Sequence, residues 1–273
     1  IREQEKNALY NELHAKEKEI VTGVVQRIND NGDMTIDIGR TQAVLKADDN
    51  FKDKQFKCGD RIKVYVASVS NRERSGLSVK ISRKSQELVK KLFEEEVTEI
   101  KDGTVEIMAI AREAGSRTKM AVRANVPHVD PVGACVGING ARVKNIVNEL
   151  GNEQIDIVEW DDNPAQLIVN ALSPAKVVSE EKKAKIIVSE QQLSLAIGKS
   201  GQNVRLAAKL TGYGIDIKSE ADPEAFADMD KDNAEIVYGE DSEGYNDNQA
   251  DDVMPLDEDY NEDAASDTEV VEE

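Results

Sequence analysis

Two short glycine motifs are the part of this chain best suited to bind an anion. Gly-x-x-Gly segments occur at residues 137–140 and 198–201. Paired glycines let the backbone turn tightly and approach a ligand without side-chain bulk. A helix that begins directly after such a turn points free N–H groups and the positive end of its dipole at the ligand, which favours a phosphate. With the basic and polar residues that follow, the candidate binding residues are Gly137, Ile138, Asn139, Gly140, Arg142, Lys144, Gly198, Lys199, Ser200, Gly201, Gln202 and Arg205.

The two motifs belong to an internal duplication. Their first glycines, Gly137 and Gly198, are 61 residues apart. Gly151 and Gly212, which stand where a helix after each motif would end, are also 61 residues apart. One motif alone would be interpreted as an ordinary tight turn between helices, but two in register favour a binding role. The duplication predicts two copies of one α-β-β-α-α-β unit.

Helix-start patterns place each motif between two helices. Asp130-Pro131 combines an N-cap residue with proline at the first helical position. Ser189 and Gln192 have the spacing of a capping box. Helices are therefore expected before and after each loop.

Before the duplication the hydrophobic period changes to two. Asn31-Gly32 is a strong hairpin turn because both positions favour positive φ. Five short alternating segments lie within residues 20–81, with no helix long enough for a crossover. This pattern predicts a small closed barrel of the OB kind. The charged segment at residues 2–18 predicts an exposed helix.

The net charge of −19 combines two parts of very different charge. Residues 220–273 contain 22 acidic residues and one basic residue, whereas residues 1–219 contain 32 acidic and 34 basic residues. The tail therefore carries −21 and the body +2, so the acidic composition does not argue against nucleic-acid binding by the body. The tail has too few large apolar residues to offset the entropy of ordering, which predicts disorder. We hypothesise that it competes with nucleic acid for basic surfaces or engages a basic partner.

The order of elements around the motifs is typical of an RNA-binding fold. A Gly-x-x-Gly loop between two helices is the pattern of the K-homology (KH) domain, in which the loop clamps about four nucleotides of a single strand. The element order matches the prokaryotic form. The expected fold class is therefore multidomain, an all-β OB barrel followed by two tandem α+β KH domains. The expected divisions are a helical segment at 1–19, the OB barrel at 20–83, the first KH domain at 84–160, the second at 161–219 and the disordered acidic tail at 220–273.

Specific residues of the duplication resemble the NusA family of bacterial transcription factors. They are Asp130–Gly137, Arg142–Lys144, Ile155–Val158, Ser116–Lys119 and Gln192–Lys199. The resemblance covers roughly residues 2–219. It implies an elongation factor without catalysis that binds single-stranded nascent RNA and RNA polymerase and modulates pausing, termination and antitermination. The family's N-terminal polymerase-binding domain is expected to be missing, apart from its last helix at residues 2–18. Other transcription factors are further expected partners.

Two other functions remain open from the sequence. Phosphorolytic exoribonucleases, which are RNA-processing enzymes, also carry KH and OB modules, but they append them to catalytic domains and in the reverse order. A ribosomal or structural role is the third reading. The sequence has no P-loop, no metal-ligand cluster and no nucleophile with a base at recognisable spacing. No cofactor, metal or catalytic residue is therefore assigned.

Residues outside the loops receive structural interpretations. His14 and His128 are expected at the surface, Cys135 as a small buried residue, and Trp160 between the KH units. Cys58 and Cys135 are far apart, which favours a reducing, cytoplasmic setting. The sequence has no run of about 18 apolar residues, so no membrane span is expected.

The barrel is expected to be a weaker RNA site than the loops. Tyr65 could face outward and stack on a base, whereas Phe51 and Phe56 are expected to pack in the core. A basic cluster near the end of the barrel is equally compatible with a solvated face and with RNA contact. Its members are Arg72, Arg74, Lys80, Arg83 and Lys84.

Overall fold

The computed structural model describes residues 2–50, 56–72, 76–172, 176–180, 183–222 and 236–237. A helix and a barrel come first, followed by two units with the same succession of helices and strands. In chain order the elements are α1 (Arg2–His14), β1 (Ile20–Ile28), β2 (Met34–Asp37), β3 (Gln42–Leu45), β4 (Arg61–Arg72), β5 (Gly76–Ser82), α2 (Gln86–Glu96), α3 (Thr98–Lys101), β6 (Val105–Glu113), β7 (Arg117–Ala124), α4 (Pro131–Val136), α5 (Ala141–Glu149), β8 (Gln154–Glu159), α6 (Pro164–Leu172), β9 (Lys176–Glu180), β10 (Lys183–Val188), α7 (Glu190–Ile197), α8 (Gln202–Thr211), β11 (Gly214–Ser219) and β12 (Ile236–Val237).

Strands β1 to β5 form a closed barrel in the order β1-β2-β3-β5-β4. All its pairs are antiparallel except β3 and β5, which run parallel. Met34 and Ile36 are buried in the barrel core, whereas Thr35 and Asp37 between and after them are half-buried. The chain enters β2 through the Asn31-Gly32 turn, where Gly32 has a φ of 85°. The closed barrel predicted from the alternation is confirmed.

Helix α1 packs against the barrel, which corrects the expectation of an exposed helix over residues 2–18. Leu13 is buried in the barrel core, and Leu9 and Tyr10 pack beside it. The helix ends at His14 because the chain must turn into β1. Lys18 makes that turn with a φ of 65°, and its N–H donates to the Val66 carbonyl over 2.9 Å.

The first KH unit contains the three-stranded sheet β6-β7-β8. Strand β7 is antiparallel to β6 and parallel to β8. Helix α4 begins as predicted, because Asp130 Oδ1 accepts a hydrogen bond from the Gly133 N–H over 2.9 Å and Pro131 occupies the first turn. Cys135 is buried in the core of this unit with Phe93 of α2. Burial raises the pKa of its thiol to about 12, so it is an inert structural residue.

The second KH unit repeats this topology. Strand β10 is antiparallel to β9 and parallel to β11. Helix α8 ends at Gly212, whose φ is 77°, as the sequence predicted. The capping box is wrong, because Ser189 is the N-cap of α7 but its side chain makes no capping hydrogen bond. The backbone N–H groups of Gln192 and Leu193 donate instead to the Ser189 carbonyl.

A two-residue strand extends the second sheet within the region that was expected to be disordered. β12 pairs antiparallel with β9, with Ile236 opposite Val178 and Val237 opposite Val177. The pairing is available because β9 is otherwise an edge strand with unpaired backbone groups. Apart from these two residues, the tail after residue 222 lies outside the described residues.

The two KH units share one hydrophobic core. Ala111 of β6 and Ala121 of β7 belong to the same buried cluster as Ile168 of α6 and Leu206 of α8. Their small side chains allow α8 to contact both strands of the first unit. Trp160 packs against this cluster, in the position between the units that the sequence predicted. A shared core holds the two units in one fixed relative position.

A buried arginine joins the barrel to the first KH unit. Arg83 is fully buried, its Nη1 donates to the Lys63 carbonyl, and its guanidinium carbon lies 5.3 Å from the centre of the Phe56 ring. Arg83 Nη2 donates to the Glu149 carbonyl over 2.8 Å, and Nη1 lies 3.2 Å from Glu149 Oε1. Neither a solvated face nor an RNA contact is therefore correct for Arg83. Tyr65 is also buried, against the core of the first KH unit, rather than facing outward.

Candidate nucleic-acid interface

The two Gly-x-x-Gly loops have the same backbone conformation. Gly137, Asn139 and Gly140 have φ angles of 73°, 52° and 74°, and the equivalent residues of the second loop have 74°, 53° and 70°. Their ψ angles are 173°, 25° and 19° in the first loop and 169°, 29° and 19° in the second. Three residues of each loop are thus in the half of conformational space that L side chains rarely adopt. The duplication inferred from spacing extends to dihedral angles.

The first position of each loop has no room for a side chain. A Cβ atom on Gly137 would lie 2.7 Å from Arg142 Cγ, and one on Gly198 would lie 2.8 Å from Asn203 Cβ and 2.9 Å from its backbone nitrogen. Glycine is therefore needed there for close approach as well as for positive φ.

Those two crowding residues brace the loops at equivalent positions, 61 residues apart. Arg142 Nη1 donates to the Ala134 carbonyl over 2.6 Å, and Asn203 Nδ2 lies 3.4 Å from the carbonyl of the equivalent residue, Leu195. Arg142 also pairs with Glu99 at 2.9 Å. The side chain that the sequence assigned to a ligand is thus partly used to hold its own loop.

A second brace is also duplicated. Lys144 Nζ donates to the Asn139 carbonyl over 2.9 Å, and Arg205 Nη1 donates to the Ser200 carbonyl over 3.2 Å. Each cation thus reaches back five residues to the loop residue with positive φ. This arrangement stabilises the loop and places one positive charge beside it in each unit.

Arg205 takes part in a polar contact between the two units, which we call the interdomain latch. Its Nε donates to Glu113 Oε1 over 2.5 Å and its Nη2 to Glu113 Oε2 over 3.1 Å. Gln202 Nε2 donates to Glu113 Oε2 over 2.9 Å and to Ser116 Oγ over 2.7 Å. The hydrogen bond from Arg205, with a smaller contribution from Gln202, lowers the pKa of Glu113 to about 2. The latch consists of Glu113, Ser116, Gln202 and Arg205.

Around the loops an open surface combines free amides with apolar side chains. Helices α5 and α8 begin directly after the loops, and neither has a side-chain cap on its first N–H groups. Ile138 is 86% exposed and Leu195 is 73% exposed, and Lys199 is also exposed. Such apolar side chains beside free amides suit a ligand that has a phosphate and a flat apolar face. Leu195 was missed, because the helical pattern does not reveal which leucine of α7 stays uncovered.

A groove of about 490 Å³ lies between the two KH units, and we call it the interdomain groove. Arg117, Lys119 and Asp156 of the first unit line one side. The opposite side is formed by α6, α7 and the start of the second loop, including Leu195 and Lys199. The sequence analysis assigned no binding role to the three residues of the first unit.

The ionised residues in this groove form a compact cluster. Arg117 donates to both carboxylate oxygens of Asp156, over 2.8 and 2.9 Å, and Lys119 Nζ lies 3.2 Å from Asp156 Oδ2. Burial alone would raise the pKa of Asp156, but the hydrogen bond from Arg117 and the charge of Lys119 lower it overall. Burial lowers the pKa of Lys119, and Asp156 partly opposes that shift.

The remaining candidates form no second site in the part of the chain that the structure describes. Lys80 and Lys84 are exposed, but Phe51, Arg74 and the Arg72 side chain lie outside the described residues. Phe56 is buried as predicted. Within the described ranges, no three His, Cys, Asp or Glu residues are grouped to hold a metal ion, and no helix has the length and apolarity to cross a membrane.

Comparison with known proteins identifies the family. Residues 83–160 match the model of the NusA-like first KH domain, and residues 164–225 match that of the NusA-like second KH domain. The transcription termination/antitermination protein NusA of Mycobacterium bovis is 46% identical over 236 residues, which cover 82% of this chain and 68% of that protein. The chain belongs to the NusA family.

Other NusA proteins give the same result. Those of Halalkalibacterium halodurans and Bacillus subtilis are each 50% identical over 227 residues, covering 81% of this chain. The chain spans 59% and 61% of the lengths of these two NusA proteins. The family resemblance and the tandem KH fold expected from the sequence are confirmed, and none of these matches supports an exoribonuclease.

Proposed function

We propose that this chain binds single-stranded RNA across its two Gly-x-x-Gly loops and acts on transcription as part of a termination and antitermination factor. The observation that carries the proposal is the repeated loop, which has one backbone conformation in two places and free helix amides in both. The relatives' printed name supports the transcriptional role. The proposed contacts are the twelve candidate residues, with Arg142, Gln202 and Arg205 also serving the protein's own structure.

Binding to both loops at once would strengthen the complex. Because the KH units share a core, a strand held at one loop meets the second loop at a high effective concentration. The affinity for an RNA that reaches both loops should therefore exceed that for an RNA that reaches one.

Fluorescence anisotropy with a labelled single-stranded RNA of about 12 nucleotides tests the proposal, because each KH loop clamps about four. The double variants Ile138→Asp with Asn139→Asp and Lys199→Asp with Ser200→Asp place negative charge where a phosphate would lie. Each should weaken binding by at least tenfold. Binding by the wild type should also weaken as salt rises.

Matched controls place the same charge on helix α1, which contacts barrel strands β4 and β5. Asn7→Asp with Ala8→Asp matches the first loop variant, and Lys6→Asp with Asn7→Asp matches the second. Both controls should bind RNA as the wild type does. Unchanged binding by both loop variants would show that the loops are not the RNA site.

The transcriptional part of the proposal includes contact with RNA polymerase and a cytoplasmic setting, without catalysis by the chain. Transcription by purified polymerase on a template with a terminator tests it. The wild type should change the fraction of terminated transcripts, and the two loop variants should not. Equal effects of wild type and loop variants would separate the transcriptional role from RNA binding by the loops.

A further inference from the structure

The interdomain groove contains a charged cluster that none of the roles above requires. Arg117 and Lys119 bring two positive charges and Asp156 one negative charge, so the cluster keeps a net positive charge. Lys119 is only 4% exposed. Burying a cation is unfavourable unless it is paired, and here a single carboxylate is shared by two cations. The cluster therefore retains a capacity to attract an anion or a polar ligand.

The simplest alternative is that the cluster only stabilises the pairing of β7 with β8. Such cross-strand ion pairs are common and contribute modestly. This cluster, however, lines an open groove whose opposite side belongs to another KH unit. The groove volume of about 490 Å³ lies within the range typical of small-ligand sites, about 300–1,000 Å³.

The two sides of the groove complement each other chemically. One side offers Lys199 and the start of the second loop, which suit a phosphate. The other side offers the planar guanidinium of Arg117, held in one orientation by two hydrogen bonds to Asp156. Guanidinium planes stack on nucleobases. Leu195, 73% exposed, adds an apolar surface to the same groove.

We propose that the interdomain groove binds one nucleotide of the RNA strand, with its base against Arg117 and Leu195 and its phosphate at the second loop. This inference rests on the proposed RNA binding and adds a site built jointly by both units. Arg117 is a base-contacting residue in this site, and Asp156 is a positioning residue that fixes the guanidinium plane. Lys119 supplies the remaining positive charge.

Abasic scanning of the RNA tests the proposal. The bases of an RNA of about 12 nucleotides are removed one at a time, and each RNA is titrated with the wild type, Arg117→Lys and Leu195→Ala. For the wild type, one internal position should be marked by a loss of affinity of about tenfold, as expected for one stacked base. In Arg117→Lys and Leu195→Ala the same removal should cost less than about threefold, because the contact is already weakened.

Arg123→Lys is the matched control. Arg123 lies on the same strand as Arg117, is similarly exposed at 39% against 36%, and pairs with Glu106 outside the groove. Its abasic profile should equal that of the wild type. Arg117→Lys keeps the charge beside Asp156, and Leu195 is on the surface, so both variants should retain wild-type thermal unfolding.

The outcomes separate this inference from the proposed function. If the abasic profiles of Arg117→Lys and Leu195→Ala match the wild type while the loop variants still lose binding, the groove holds no base and the loop assignment stands. If the wild type binds no RNA, both proposals are wrong. A sensitive position that disappears in both groove variants, and persists in Arg123→Lys, supports the groove site.

Discussion

At the scale of single residues, the polar side chains after each glycine loop hold the loop in place. Arg142 and Asn203 reach back to the preceding helix, and Lys144 and Arg205 reach back to the loop itself. Both braces occur in both units at equivalent positions. A loop that is already held in its binding conformation loses less entropy when a ligand binds. Rigid support is therefore part of how these short motifs could bind a flexible strand.

The ion pair between Glu113 and Arg205 should make the stability of the KH pair dependent on pH. The pKa of Glu113 in the folded protein is about 2, below the ordinary 4.5. The stabilisation from its ionised form is therefore full above about pH 4.5 and is lost as the pH falls toward 2. Because Arg205 is 45% exposed, we expect Glu113→Gln to lower the free energy of unfolding by only about 1 kcal/mol at neutral pH.

Urea unfolding of the wild type and Glu113→Gln at about pH 7, 4 and 3 measures this effect. The difference between the two proteins should shrink across that series. Glu106→Gln is the control, because Glu106 lies on the same strand but is exposed and 3.6 Å from its partner Arg123. A difference that stays constant with pH would show that the ionisation of Glu113 does not stabilise the fold.

At this scale the sequence could predict the glycines but not the directions of the cations. Two glycines at repeated spacing have a local steric meaning that survives in any context. The partners of Arg142 and Arg205 are Glu99 and Glu113, which are 43 and 92 residues away in the chain. Such long-range contacts depend on the packing of whole units. The groove residue Arg117 was missed for the same reason, because its site exists only where two units meet.

At the scale of elements, the joint between the barrel and the first KH unit depends on the buried Arg83. Replacing Arg83 by alanine removes the donor to Glu149 and to the Lys63 carbonyl. Breaking a buried pair typically costs about 3–5 kcal/mol. We expect a loss in free energy of unfolding of about 3 kcal/mol, at the lower end because Glu149 is partly exposed.

Urea unfolding followed by limited proteolysis tests this prediction. Arg83→Ala should unfold at lower urea and be cleaved faster between the barrel and α2. Lys84→Ala, at the exposed neighbouring position, is the control and should stay within about 0.5 kcal/mol of the wild type. A loss below about 1 kcal/mol for Arg83→Ala would mean that apolar packing alone holds the joint.

The element types were largely predictable because each has a local pattern. Alternation gave the barrel strands, and Asp130-Pro131 gave the start of α4. The end of α1 at His14 was not predictable, since the turn at Lys18 is held by a backbone hydrogen bond from β4. Strand β12 was also unpredictable, because it depends on an edge offered by β9. The predicted domain boundaries remain predictions.

At the scale of the whole molecule, the acidic tail should weaken RNA binding by competing for the positive surfaces. Residues 238–273 contain 15 of the 22 acidic residues of the tail and can be removed without removing β12. The shortened chain should bind RNA severalfold more tightly at low salt. The gain should shrink toward physiological salt, where the screening length falls to about 8 Å.

Anisotropy titrations of both chains at low and moderate salt provide the measurement. A chain whose tail acids are replaced by their amides is the control for length, and it should behave like the shortened chain. Equal affinities of wild type and shortened chain at both salt concentrations would contradict the competition hypothesis.

The shared core of the two KH units has a consequence for the shape of the RNA itself. Trp160 and the alanines of β6 and β7 keep the two loops at one separation. An RNA strand held at both loops must therefore lie unpaired over the whole interval between them. It cannot at the same time close into a hairpin, so the protein and RNA secondary structure would compete for the same nucleotides. The outcome would then depend on which forms first as the transcript emerges.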